Sequence, residues 1–112
     1  DILTDLGAAI AGGMGLAAGA NLNPEKTYPS MFEPIHGSAP DIAGQGKANP
    51  MATIWAVSQM LDFLGYEEYG AKVIHAIEST LVEGRTLTPE LGGHAVTEQV
   101  GKAVREQLKK LL

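Results

Sequence analysis

The 112-residue sequence predicts an α/β fold that is mostly helical and contains two short strands. From residue 49 onward, apolar residues recur three or four positions apart, which is the spacing of one face of a helix. Before residue 49, two short apolar stretches are separated by turn-forming residues, and glycine is frequent. We therefore expect three helices in the second part of the chain and strands and loops in much of the first.

The first predicted element is the end of a helix at residues 1–12. Ile2, Leu6 and Ile10 are spaced four apart, as they would be on one helix face, and a pair of glycines follows to stop the helix.

Two short strands are predicted next, one within residues 15–23 and one within residues 30–35. The residues between them include Asn-Pro-Glu-Lys at 23–26, which favours a turn. Residues 36–49 show neither helical nor strand periodicity, and their glycines and proline predict an ordered loop.

A helix is predicted to begin at Asn49 and Pro50, because asparagine is a preferred N-cap and proline is tolerated at the first helical position. Its end is predicted at Gly65. Its apolar stripe consists of Ile54, Val57, Leu61 and Leu64.

Two more helices complete the prediction. One ends at Gly84, and after a connection at residues 85–93 the last begins near Thr97. The stripe of the first of these is Tyr69, Val73, Ile77 and Leu81. The stripe of the second is Val100, Val104, Leu108 and Leu111.

Composition excludes several classes of function. The chain has 13 acidic residues against 8 Lys and Arg, a net charge of −5, so the clustered cations of a nucleic-acid binder are missing. Its longest weakly polar run, residues 7–20, is shorter than the ~20 apolar residues that span a bilayer, so no membrane association is expected. The absence of cysteine excludes disulfides and thiolate sites and is compatible with a cytoplasmic location. Because the chain begins at Asp1 rather than at methionine, we expect it to be the C-terminal part of a longer protein.

Asp1 and Asp5 form the first candidate site. Residues four apart share a helix face, so the two carboxylates would lie side by side. Paired oxygen ligands without His or Cys suit Mg²⁺ or Mn²⁺. The alternative is an acidic, solvated surface near the start of a helix, where carboxylates are favoured.

The loop at residues 36–49 is the second candidate site. It combines exposed backbone N–H groups, a hydroxyl, an imidazole and a carboxylate, and it leads directly into a helix. It does not match the Gly-x-Gly-x-x-Gly fingerprint, since Asn49 stands at the last position and no βαβ unit surrounds it. Each residue also has a structural explanation: Asn49 as an N-cap, the glycines for their backbone angles, and Asp41 as a turn residue.

Two segments together carry a resemblance to a known family. Residues 31–44, MFEPIHGSAPDIAG, with Gly46, Asn49 and Pro50, resemble the nucleotide loop of the β-decarboxylating dehydrogenases, which include isopropylmalate, isocitrate, tartrate and D-malate dehydrogenases. The opening DILTDL resembles the metal-binding helix of that family. The segment at residues 21–30 is most similar to the tartrate/D-malate branch.

The resemblance implies the C-terminal part of the isopropylmalate/isocitrate dehydrogenase-like fold, with an NAD site that is not of the Rossmann type. Residues 1–14 would end the metal-binding, dimer-forming domain, and residues 15–112 would form the C-terminal part of the NAD-binding domain. Asp1 and Asp5 would bind Mg²⁺ or Mn²⁺. The residues implied to contact NAD are His36, Gly37, Ser38, Ala39, Asp41 and Asn49.

The implied activity is oxidation of a 2-hydroxy acid by hydride transfer to NAD, with or without decarboxylation, in a homodimer. The catalytic Tyr and Lys and the substrate-binding arginines of the family have no counterparts in this chain, so we expect the 112 residues alone to be inactive. Lys47 and His94 depart from the residues usual in the family, which leaves the substrate branch open between tartrate/D-malate and 3-isopropylmalate. A different class of function, a small acidic helical module that docks on a partner protein, also fits the composition.

Overall fold

The computed structural model describes residues 16–112. The predicted helix at residues 1–12, with Asp1 and Asp5, lies outside the described residues. None of the helices in the described part is long and apolar enough to cross a membrane.

The three predicted helices are confirmed. They are α1 (Met51–Phe63), α2 (Glu67–Glu83) and α3 (Thr97–Lys109), and the connection before α3 contains a short 3₁₀ helix (Pro89–Leu91). Gly84, the predicted end of α2, has a left-handed backbone conformation, and its N–H donates to the carbonyl of Thr80.

The two predicted strands are also confirmed. Strands β1 (Ala18–Asn21) and β2 (Met31–Pro34) form a two-stranded antiparallel sheet in which Ala20 lies opposite Phe32. A hairpin of this size is marginal by itself. It is supported here by packing against α1.

The loop between the strands folds back on the end of α1. The Asn23 N–H donates to the hydroxyl of Ser30 at 2.9 Å, which closes the loop. The Lys26 ammonium lies 5.4 Å from the ring centroid of Phe63, and the Phe63 ring centroid is 5.9 Å from that of Phe32. The cation–π and aromatic contacts fix the hairpin to the helix.

The elements pack in the order hairpin, α1, α2, α3, with α2 in contact with both of the other helices. Apolar side chains from all three helices meet in one core. Its buried members are Met51, Val73, Ala76, Ile77, Val100 and Val104.

The predicted apolar stripe of α1 is wrong at two positions. Val57 is 41% exposed and Leu64 is 50% exposed, while Ile54 and Leu61 pack at the edge of the core. The helix instead buries a set of mostly small residues: Met51, Ala52, Ala56 and Ser58.

The close approach of α1 and α2 explains this shift. Gly70 of α2 lies so near α1 that a Cβ atom there would be 2.9 Å from the carbonyl oxygen of Ser58. Helices that pack this closely need small residues at the contact, so bulky residues of the apolar stripe are left outside it. Tyr69, beside Gly70, is likewise exposed, and the Lys72 ammonium lies 5.4 Å from the centroid of its ring.

We expect Gly93→Ala to destabilise the protein by about 3 kcal/mol or more, because a Cβ at this position would clash with the Leu87 carbonyl and lie 2.5 Å from its carbon. Gly101→Ala is the matched control. Gly101 lies inside α3, and a Cβ added there would have no described atom within 4 Å, so alanine should stabilise the helix by about 0.5–1 kcal/mol. Thermal unfolding of the intact protein measures both, and an unchanged midpoint for Gly93→Ala would contradict the packing.

Candidate functional site

A cavity of about 640 Å³ opens between the loop at residues 36–49 and the segments around Glu90 and Thr97. This volume lies within the range of small-molecule sites. Five of the six residues predicted to bind a nucleotide line it: His36, Gly37, Ser38, Ala39 and Asn49.

Asp41, the sixth, is in the same loop but is not among the residues that line the cavity. Its side chain is exposed, and it lies in the chain between Ala39 and Ile42, which do line the cavity. The Asp41 carboxylate is therefore open to solvent, and its predicted contact with a ribose stays a prediction.

Short-range hydrogen bonds shape the loop. The Ile42 N–H donates to the Ala39 carbonyl and the Gln45 N–H to the Ile42 carbonyl, each at 3.1 Å, so two turns follow one another. The Gln45 side-chain amide donates to the Asp41 carbonyl at 2.8 Å. Ala39 has a φ of +43°, a conformation that costs a residue with a side chain about 1–2 kcal/mol. Strain of this kind is concentrated at functional sites.

Thr97, the first residue of α3, attaches the end of the loop to that helix. Its N–H donates to the Gly46 carbonyl at 2.8 Å, and its hydroxyl donates to the Ala48 carbonyl. These two hydrogen bonds join segments about 50 residues apart and hold the start of α3 against the loop.

The structure begins α1 one residue later than predicted, with Pro50 rather than Asn49 at the N-cap position. The Asn49 side chain nevertheless satisfies the first N–H of the helix, because its Oδ1 accepts a hydrogen bond from the Met51 N–H at 3.0 Å. Asn49 is only 8% exposed, and its Nδ2 has no hydrogen-bond partner among the described residues. Because an unpaired buried amide costs about 1–3 kcal/mol, this group is suited to an acceptor supplied by a ligand.

His36 has a defined tautomer. Its Nδ1 lies 2.9 Å from the Gly37 carbonyl oxygen, which can only accept, so Nδ1 carries the proton. In the neutral ring, Nε2 is then an acceptor, and His36 is one of the residues that line the cavity.

Three features on one side of the cavity attract anionic groups. Asn49 lies two residues before the start of α1 and Thr97 begins α3, so the N-termini of two helices adjoin the cavity. Helix N-termini carry partial positive charge and attract phosphate groups. Lys47 also lies on this wall.

Three lining residues with polar or charged side chains are not identified as functional by the sequence. Lys47 has the pattern of a lone surface cation, and Glu90 and Thr97 have those of a connection and a helix start. No local pattern identifies Glu90 and Thr97, because the fold brings them to the loop across about 40 to 50 residues of chain.

The predicted metal ligands Asp1 and Asp5 lie outside the described residues. Within residues 16–112, no group of three or more His, Asp or Glu side chains is arranged to hold a metal ion. The metal prediction therefore stays a prediction.

The chain matches the family model "Isocitrate/isopropylmalate dehydrogenase" over residues 1–104. It is 49% identical to the probable tartrate dehydrogenase/decarboxylase of Bacillus subtilis over 99% of this chain and 31% of that protein. It is 54% identical to the 3-isopropylmalate dehydrogenase of Thermobifida fusca over 96% of this chain and 29% of that protein. The chain thus spans about a third of the length of the curated relatives it matches.

Solved structures show the same fold. Isocitrate dehydrogenase from Methylococcus capsulatus superposes with a TM-score of 0.88 at 40% identity, covering 96% of this chain and 32% of that one. A β-decarboxylating dehydrogenase from Thermococcus kodakarensis gives a TM-score of 0.87 at 40% identity, covering 99% of this chain and 32% of that one. The predicted fold class is confirmed.

Proposed function

This chain belongs to the isocitrate/isopropylmalate dehydrogenase family, and on that premise we propose that it is the C-terminal part of an NAD-dependent, divalent-metal-dependent 2-hydroxyacid dehydrogenase of the tartrate/D-malate type. The parent enzyme would oxidise the hydroxyl of a small hydroxy acid, with or without decarboxylation. Residues 1–14 would end the metal-binding, dimer-forming domain, and residues 15–112 would belong to the NAD-binding domain of a homodimer.

The unpartnered amide of Asn49 is the observation that carries this proposal. It lies on a cavity of suitable volume, next to the start of α1 and within a loop that supplies further polar groups. Adenine and ribose offer the acceptors that such a donor needs. His36, Gly37, Ser38 and Ala39 would complete the contact with the adenosine half, and Asp41 would accept hydrogen bonds from the ribose hydroxyls.

Asp1 and Asp5 would contribute carboxylate oxygens to Mg²⁺ or Mn²⁺, the hard ions that such ligands prefer. A bound divalent ion would supply Lewis acidity and a template for the hydroxy acid. The role of this chain is then to hold the nucleotide through the loop and to contribute negative charge at the metal.

The similar proteins bear on two alternatives, a different substrate and a different class of function. Tartrate and isopropylmalate dehydrogenases both occur among them at about 50% identity, so 3-isopropylmalate is retained as the alternative substrate. The small acidic interaction module has less support, because the family model covers 104 of the 112 residues.

A substrate panel tests the proposal. The purified intact protein, supplied with NAD and Mn²⁺, is expected to reduce NAD with tartrate or D-malate. Turnover of 3-isopropylmalate alone would establish the alternative. Absence of both turnover and NAD binding would overturn the proposed function.

Two substitutions of Asn49 separate its helix-capping role from its binding role. Asn49→Asp keeps the oxygen that accepts from the Met51 N–H but removes the amide donor, so the unfolding temperature should be nearly unchanged while the Kd for NAD rises about tenfold. Asn49→Ala removes both and should also lose about 1 kcal/mol of stability. Calorimetry measures both quantities. Wild-type NAD affinity in both variants would limit Asn49 to capping α1.

A further inference from the structure

Glu90 carries a carboxylate on the wall of the nucleotide cavity. Among the described residues that line this cavity, it is the one acidic side chain, since Asp41 does not line it. Glu90 lies in the 3₁₀ helix Pro89–Leu91, a segment of the chain separate from the loop at residues 36–49.

A neighbouring hydroxyl fixes the position of this carboxylate. The Thr88 hydroxyl donates to Glu90 Oε1 at 2.6 Å, and Thr88 is only 1% exposed. The Thr88 carbonyl in turn accepts hydrogen bonds from the N–H groups of Leu91 and Gly93, at 3.0 and 3.1 Å. Glu90 is therefore held by a buried, well-anchored residue.

The charge of Glu90 is not neutralised by the cation on the same cavity. Within residues 16–112, the ion pair with an N···O distance of 4.0 Å or less is Lys72–Glu68, so Lys47 is not paired with Glu90. The cavity therefore presents one positive and one negative side chain from different segments. Such an arrangement can attract one phosphate group of a ligand and repel another.

We propose that Glu90 selects against a dinucleotide that carries a 2′-phosphate. This inference rests on the proposed function. The 2′-phosphate adds negative charge to the adenosine end, which is the part of the ligand that the proposed function assigns to this cavity. A 2′-phosphate carries close to two negative charges, and a carboxylate about 10 Å away repels it at an effective dielectric constant of ~20. Glu90 is exposed, so salt screening reduces this repulsion to about a third, which still corresponds to about a tenfold loss of affinity. NAD lacks the 2′-phosphate, so its affinity is not lowered by this repulsion.

Binding of NAD and NADP to variants of the intact protein tests this role by isothermal titration calorimetry. Glu90→Gln removes the charge and keeps the shape, and it should tighten NADP binding about tenfold while the Kd for NAD stays within about twofold. Glu90→Asp keeps the charge and should retain the discrimination. Glu78→Gln, at an exposed position of α2 away from the cavity, is the control for net charge.

The outcomes separate this inference from the proposed function. Tight NAD binding together with an unchanged NADP affinity in Glu90→Gln would overturn the role of Glu90 alone. An equal gain in NADP affinity in Glu78→Gln would assign the effect to net charge and would also overturn it. Failure of the unsubstituted protein to bind NAD would overturn the proposed function, and this inference with it.

Discussion

We expect Asp5→Asn to weaken Mn²⁺ binding to the intact protein by at least about 100-fold and to reduce metal-dependent turnover in parallel. Asparagine keeps the shape of the side chain and one oxygen but removes the negative charge. Hard divalent ions are held largely by the charge of their ligands, and loss even of an outer-shell partner of a metal site typically costs about 10- to 100-fold in affinity. Loss of a direct ligand should cost more.

Titration calorimetry with Mn²⁺ measures the binding, and the Mn²⁺ dependence of kcat measures its consequence. Glu78→Gln again removes one negative charge at a remote exposed site and should leave both quantities unchanged. If Asp5→Asn binds Mn²⁺ with unaltered affinity, the acidic pair is a solvated helix surface, which is the alternative that its spacing allows.

The elements of the fold are predictable from sequence because their signals are local. Asn49 and Pro50 start α1, and Gly84 ends α2, through backbone geometry that a few neighbouring residues determine. The predicted apolar stripe of α1 is wrong at Val57 and Leu64, because the burial of a helix face depends on which other helices pack against it. The contact of Ser58 with Gly70, which sets the seam between α1 and α2, has no signature in helical periodicity.

The candidate site likewise combines residues with local sequence signals and residues that only tertiary structure brings together. The loop residues from His36 to Asn49 are contiguous in sequence, and the structure brings five of the six predicted ones to one cavity. Glu90 and Thr97 reach that cavity only through tertiary structure, by way of the hydrogen bonds of Thr97 to the loop. Residues on the opposite wall of a site are therefore the part that a single sequence leaves undetermined.

The double substitution Asp41→Lys with Ile42→Tyr should shift the preference of the intact enzyme from NAD towards NADP by about 100-fold in the ratio of kcat/KM values. Replacing the carboxylate with an ammonium removes a repulsion and adds an attraction to the 2′-phosphate, each up to about 4 kcal/mol for unit charges ~4 Å apart at an effective dielectric constant of ~20. Asp41 is exposed, so solvent screening reduces that limit. A 100-fold change in the ratio corresponds to about 2.7 kcal/mol, and this is less than the electrostatic free energy expected after screening.

Ile42 is included in the double substitution because it lines the cavity, where a tyrosine ring could pack against the nucleotide and offer a hydroxyl to the phosphate.

Glu78→Lys makes the same charge change of two units at a remote position and should leave the cofactor ratio unchanged. Adding Glu90→Gln to the double variant should raise the preference for NADP about a further tenfold, because Glu90 belongs to a separate segment and its charge should act independently of the loop. Unchanged kinetics with both cofactors in the double variant would show that Asp41 does not face the ribose.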